Sequence, residues 1–198
     1  MSHYLIKVTR RVRWVSWPRD GGRYDLTRAC PKCGTGAIRV DPIFAVPSDC
    51  KRGVFTTDKV QVLVSKDIFA RFSDAGIGGL RQVVTRNGRD PLEFWSLEPQ
   101  TNLPPWSAES KGYAVENQCP DCRRDGFFDI PKIFPALVYH DMPDGDLMAT
   151  WEHFGNSRLR SPFAESVLAA PRLIVSERVR RILAEYRGVA FYEVASHV

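Results

Sequence analysis

The stretches Cys30-Pro31-Lys32-Cys33-Gly34 and Cys119-Pro120-Asp121-Cys122-Arg123 decide how the rest of this 198-residue chain is read. Each contains a CPxC knuckle, and 85 residues lie between Cys33 and Cys119. Two intervening residues let both sulfurs of one tight turn reach a single ion at about 2.3 Å, and two such turns complete a tetrahedral shell. Cys30, Cys33, Cys119 and Cys122 are therefore predicted to hold one structural zinc ion. A compact ribbon places only about 15–20 residues between its pairs, so the long insert has to fold back on itself. Loop closure opposes this weakly, at about 0.6 kcal/mol per doubling of length. Structural zinc in small peptides contributes an apparent 10–16 kcal/mol or so, which decides the balance.

A thiol-disulfide centre is the rival reading of a CPxC pair, because a thiol at a helix start is easily ionised. Cys33 is followed by Gly34, Thr35, Gly36 and Pro42, and Cys122 by Arg123, Arg124, Asp125, Gly126 and Pro131. Neither stretch has room for a helix. In both copies the proline falls nine residues after the second cysteine. The fifth cysteine, Cys50, sits between Asp49 and Lys51 and reads as a spare loop thiol.

Outward from the knuckles, two further segments resemble each other. LVSKDIFARF (63–72) and IVSERVRRIL (174–183) each combine a β-like apolar run, a serine placed to cap a helix, and apolar residues at helical spacing. Leu80 to Val84 and Val189 to Val194 then read as following strands, so each half carries a strand-helix-strand unit. Asn87-Gly88 predicts a hairpin turn into a strand over Leu92 to Leu97. Residues 4–15 alternate apolar and polar and suggest an edge strand. The predicted fold class is α+β, a zinc-ribbon-like four-cysteine clasp joining two halves, residues 1–98 and 99–198, in one compact unit.

Composition excludes several classes. With 43% apolar and 26% charged residues the chain has ordinary globular composition rather than that of a disordered protein. Nothing approaches the ~20 apolar residues of a membrane span. Cysteines without an N-terminal apolar leader point to a reducing, cytoplasmic setting. The histidines His3, His140, His153 and His197 are scattered, and no nucleophile, phosphate-loop or dinucleotide motif is present, so the expectation is not an enzyme. The net charge of +5 and arginines beside the knuckles permit a zinc-ribbon nucleic-acid-binding or regulatory protein as the alternative function.

The paired CxxC knuckles, the LVSKDIFARF segment between them and the ending LIVSERVRRIL…GVAFYEV resemble the myxobacterial double-CXXCG paralogue family, classed with immunity proteins of polymorphic contact-dependent toxin systems. The second knuckle departs from that pattern, with Arg123 where the family has glycine. The resemblance implies a binding protein that neutralises a cognate bacterial toxin. Residues 135–162 read as the least regular part of the chain, and Asp141, Asp144, Asp146, Trp151 and Phe154 in it are the expected partner-binding residues.

Overall fold

The computed structural model describes residues 2–11, 24–40, 43–45, 52–57, 61–85, 91–158 and 168–196. In the first half the elements are β1 (His3–Val8), β2 (Tyr24–Asp25), β3 (Ile38–Arg39), β4 (Ile43–Ala45), β5 (Val54–Thr56), β6 (Val62–Ser65), α1 (Lys66–Asp74), β7 (Leu80–Thr85) and β8 (Pro91–Leu97). After β9 (Thr101–Asn102) come β10 (Tyr113–Val115), β11 (Phe127–Asp129), β12 (Leu137–Tyr139) and β13 (Leu147–Phe154). The chain then runs through β14 (Ala170–Ser176), α2 (Glu177–Leu183) and β15 (Val189–Ser196). The described residues are mostly sheet with two helices, an α+β fold.

Both strand-helix-strand units form where the capping serines and apolar spacing place them. Ser176 accepts a hydrogen bond from the Val179 amide and caps α2, whose Val179 and Leu183 are buried one turn apart. Ser65 stands at the same place before α1 but turns its hydroxyl elsewhere, accepting from the Gly53 amide and donating to Asp67. The chain leaves α1 with Gly76 at φ 65 and a bond from the Ile77 amide back to the Phe72 carbonyl, which closes the last turn.

The strands form a five-stranded sheet in the order β4-β7-β8-β6-β5 and a six-stranded sheet in the order β12-β15-β1-β14-β13-β9. These are the same arrangement twice. β4 lies parallel to β7 as β12 does to β15, β5 is antiparallel to β6 as β13 is to β14, and each helix follows its β6 or β14 strand. The registers also match: Val64 faces Val54 and Trp95, while Val175 faces Leu147 and Tyr4.

The correspondence shows where the two halves depart from the predicted boundary at residue 98. β8 fills the central place of the N-terminal sheet, and the equivalent place in the C-terminal sheet is filled by β1, from the opposite end of the chain. β1 is thus an interior strand flanked by β14 and β15, not an edge. The first strand of the first half completes the sheet of the second, so the halves are interlocked rather than merely docked. Just beyond β1, Arg11 bridges to Thr56 of β5, carrying the hydrogen-bonded backbone from one sheet to the other.

The main core lies between the sheets. Ile68 and Phe72 of α1 and Val179 and Leu183 of α2 pack with Ile6, Val54, Val64, Leu97 and Val175 in one cluster. A second cluster, Leu5, Leu103, Leu137, Tyr139, Met148, Ile174 and Val194, occupies the helix-free face of the six-stranded sheet. Among the described residues no helix is long and apolar enough to cross a membrane.

The expectation of irregularity over 135–162 is overturned by β13, eight residues long and interior to its sheet. A register shift between Ala149 and His153 breaks its alternation, so six of its eight residues are buried and the period-two pattern of a half-exposed strand is missing. The Asn87-Gly88 turn, Cys50 and Pro42 lie outside the described residues.

Candidate metal centre

Each knuckle sits in a short hairpin, β2 with β3 and β10 with β11, and the two hairpins approach through their cysteine turns. The four Sγ atoms lie within 4.8 Å of one another. Cys30 Sγ is 3.8 Å from Cys119 Sγ, and Cys33 Sγ is 3.6 Å from Cys122 Sγ. A tetrahedron with about 2.3 Å metal–sulfur arms has edges of about 3.8 Å. The spacing therefore fits one ion at the centre of all four sulfurs, with two ligands from each half, and it is too wide for a disulfide at about 2.05 Å. The donor set is consistent with zinc.

The turns place the sulfurs by the same backbone device. The Gly34 amide donates to the Cys30 carbonyl at 2.8 Å, and the Arg123 amide to the Cys119 carbonyl at 3.0 Å. Gly34 has φ 81 and Arg123 has φ 54, so both occupy the left-handed region. Arginine at this position keeps the glycine-type turn and bears its steric strain. After these residues the knuckles differ by one. Positive φ returns at Gly36 in the first and at Gly126 in the second, two and three residues on.

The extra residue brings in Asp125, which sequence reasoning passed over. Its carboxylate is 2% exposed and accepts from the Cys119 amide at 2.8 Å and the Ser157 amide at 3.0 Å. The Ser157 hydroxyl accepts in turn from Thr35 of the first knuckle at 2.8 Å and from the Ala169 amide at 2.8 Å. A buried chain of polar groups thus ties the two turns together behind the cysteines. Its visible signal in the sequence is the unequal spacing, CGTG (33–36) against CRRDG (122–126). On the outer side Lys32 and Asp121, matched positions of the two knuckles, pair at 3.2 Å. That pair is half exposed and adds little stability.

The thiols sit in unequal environments. Burial opposes ionisation of Cys30, but the Cys33 and Lys32 amides and the neighbouring Cys33 and Cys119 thiols outweigh it, bringing the group down to about 7. Burial raises Cys33 and pushes Cys122 up to about 12, the latter with further opposition from Cys33 and Cys30. Ionising all four sulfurs together requires a compensating positive charge among them, which a divalent cation supplies.

The chain matches no family model, no curated protein and no solved structure.

The residues expected to bind a partner do not share one surface. Asp141 and Asp144 are exposed in the loop between β12 and β13. Asp146 accepts from the Ser176 hydroxyl at 2.6 Å and from Arg178 Nε at 2.6 Å, and Arg178 foremost holds its carboxyl below the usual range. It anchors the start of α2. Trp151 is partly buried with the Arg124 guanidinium 5.4 Å above its ring. Phe154 packs among Trp106, Tyr113 and Phe127, with Arg172 4.4 Å over its face. Along the partner strand β14, Asp146 lies beside Ser176 and Phe154 opposite Ala170, six residues and roughly 20 Å apart. These side chains divide between a helix cap, a knuckle support and an exposed loop.

Proposed function

We propose that this protein is a zinc-clasped binding protein, and that its role is that of an immunity protein which captures and neutralises a cognate bacterial toxin. The observation that carries the scaffold part is the cluster of four cysteine sulfurs, all within 4.8 Å of one another. In this reading the hairpins β2-β3 and β10-β11 are two zinc-ribbon-like arms on one structural zinc, held by Cys30, Cys33, Cys119 and Cys122. Four thiolates fill the coordination shell and leave no open position for a substrate, which suits a structural ion rather than a catalytic one. The toxin part is supported by the resemblance of the knuckles and the two serine-capped segments to the double-CXXCG family.

A rigid scaffold serves such a role because little ordering entropy is lost on binding. Interlocked sheets, a shared helix core and a metal clasp each restrict the relative motion of the halves. The nucleic-acid alternative is less well supported by the surface. Arg52, Arg71, Arg172, Arg178, Arg180 and Arg181 are all paired with carboxylates, which reduces the field available to a phosphate backbone.

Co-expression with the product of the neighbouring gene tests the reading. The expected result is a stable complex and rescue of growth from that product's toxicity. Failure to form a complex, together with salt-sensitive binding to DNA or RNA, overturns it in favour of a nucleic-acid-binding regulator.

A further inference from the structure

The helix-free face of the six-stranded sheet carries a groove of about 180 Å³, room for one large side chain. Its floor is made by alternate residues of three neighbouring strands. Lys7 of β1, Arg172 of β14 and Tyr192 of β15 fall on the same face as Leu5, Ile174 and Val194 of the second core cluster. Its wall is the loop from Ile130 to Pro135 that follows the second knuckle hairpin.

This loop is fastened at both ends. The Ile130 amide donates to the Gly112 carbonyl at 3.0 Å, and Ala136 and Lys111 exchange backbone bonds of 3.0 and 2.9 Å. Gly112, at φ 96, lies so close beneath the loop that a Cβ on it would come within 2.9 Å of Pro135 Cα. Between these anchors Lys132 takes φ 66, a strained conformation for a side chain of its kind.

The fastened loop displays its apolar residues instead of burying them. Phe134 is 76% exposed, more than any other large apolar side chain among the described residues, and Ile133 beside it is 53% exposed. The Phe134 ring centroid lies 5.8 Å from that of Tyr192. An aromatic residue held outward on a rigid loop loses little freedom when a partner covers it, the property of an interface anchor. The rim fixes the sign of that partner. Arg172 is matched by Asp129 at 2.7 Å, which among the described residues leaves the exposed Lys7 and Lys132 as the groove's charges without an ion-pair partner.

We infer that this face is a docking surface for an acidic segment of a partner protein. One apolar side chain of that segment enters the groove against the contacting rings of Phe134 and Tyr192, and flanking carboxylates meet Lys7 and Lys132. The inference rests on the binding role proposed above and places its contact surface on the 130–135 loop rather than on Asp141, Asp144, Asp146, Trp151 or Phe154.

The probe is a synthetic peptide with a Leu-Phe centre and glutamates on both sides, titrated into the zinc-loaded full chain and followed by amide NMR. Expected shifts concentrate at Lys7, Lys132 to Phe134 and Tyr192. Replacing the glutamates with glutamines should weaken binding at least fivefold at low salt, and Phe134→Ser should weaken it at least tenfold. Because Phe134 is exposed, that variant is expected to retain the parent's metal content and melting temperature. Shifts elsewhere, equal binding of the two peptides, or unchanged binding by Phe134→Ser overturns the surface, as does a concentration-dependent dimer of the parent that Phe134→Ser abolishes. If the toxin is captured equally well by Phe134→Ser, the surface falls and the immunity reading stands. If the peptide binds as expected but the neighbouring gene product is not captured, the surface stands and the immunity reading falls.

Discussion

Replacing Glu152 with glutamine should change how the protein's stability responds to pH, and its environment sets the size of the effect. Glu152 is 2% exposed on β13, with Oε1 accepting from the Trp106 amide at 2.9 Å. Among the described residues Oε2 has no hydrogen-bond partner. Burial pushes the carboxyl up to about 7, against the Trp106 amide and Arg124, which pull it down from the same ordinary value of 4.5. The folded form therefore keeps the proton where the unfolded chain has lost it. The resulting stabilisation is fully present below pH 4.5 and is lost as pH rises through 7. At about 1.36 kcal/mol per pH unit, the interval from 4.5 to about 7 corresponds to about 3 kcal/mol. Glutamine keeps an oxygen for the Trp106 amide and does not ionise. In urea denaturation at fixed free zinc, Glu152→Gln minus parent should shift by about 3 kcal/mol in favour of the variant between pH 4.5 and 8. Effects of other titrating groups cancel in that difference. A difference that stays constant across the range refutes the reasoning.

Three other perturbations have defined outcomes. His153, whose buried ring is brought down to about 4 chiefly by desolvation, contributes stability present above pH 6.5 and lost as pH falls through 4; His153→Gln should flatten that acid limb, read by denaturation between pH 4 and 7. Arg123→Gly removes a left-handed strain of about 1–2 kcal/mol and adds roughly 0.5–1 kcal/mol of unfolded-chain freedom, so a melting curve should show slight stabilisation, whereas Arg123→Val should destabilise. Asp125→Ala strips the acceptor from two buried amides and should cost about 2–4 kcal/mol, measured by denaturation at saturating zinc; a loss below about 0.5 kcal/mol would show that the carboxylate is not the tie between the knuckles.

What the sequence made legible was local. The helices start after Ser65 and Ser176 because extended backbone at the serine, the side-chain cap of Ser176, and the spacing of Ile68, Phe72, Val179 and Leu183 all act within a few residues. The knuckles were equally readable, since a CPxC turn is set by its own four residues, and the structure brings Cys30, Cys33, Cys119 and Cys122 together. The exchange of β1 into the C-terminal sheet was hidden because nothing in HYLIKV (3–8) distinguishes β14 and β15 from β6 and β7 as neighbours. β13 was hidden for the opposite reason: with both faces covered and a register shift, it loses the alternation that marks a strand. Misreading it as a loop also made Trp151 and Phe154 look like free surface aromatics. Their role as knuckle supports depends on Arg124, Trp106 and Phe127, which reach them only through the tertiary fold.

The claim that organises the molecule is one ion shared by both halves, and metal analysis combined with X-ray absorption at the zinc edge tests it most directly. The account predicts about one zinc per chain with four sulfur neighbours at about 2.3 Å, and loss of that zinc with a fall in stability in both Cys30→Ser and Cys119→Ser. Contrary results would be a metal-free chain that stays folded, a Cys30–Cys33 disulfide, or a shell in which nitrogen or oxygen replaces sulfur.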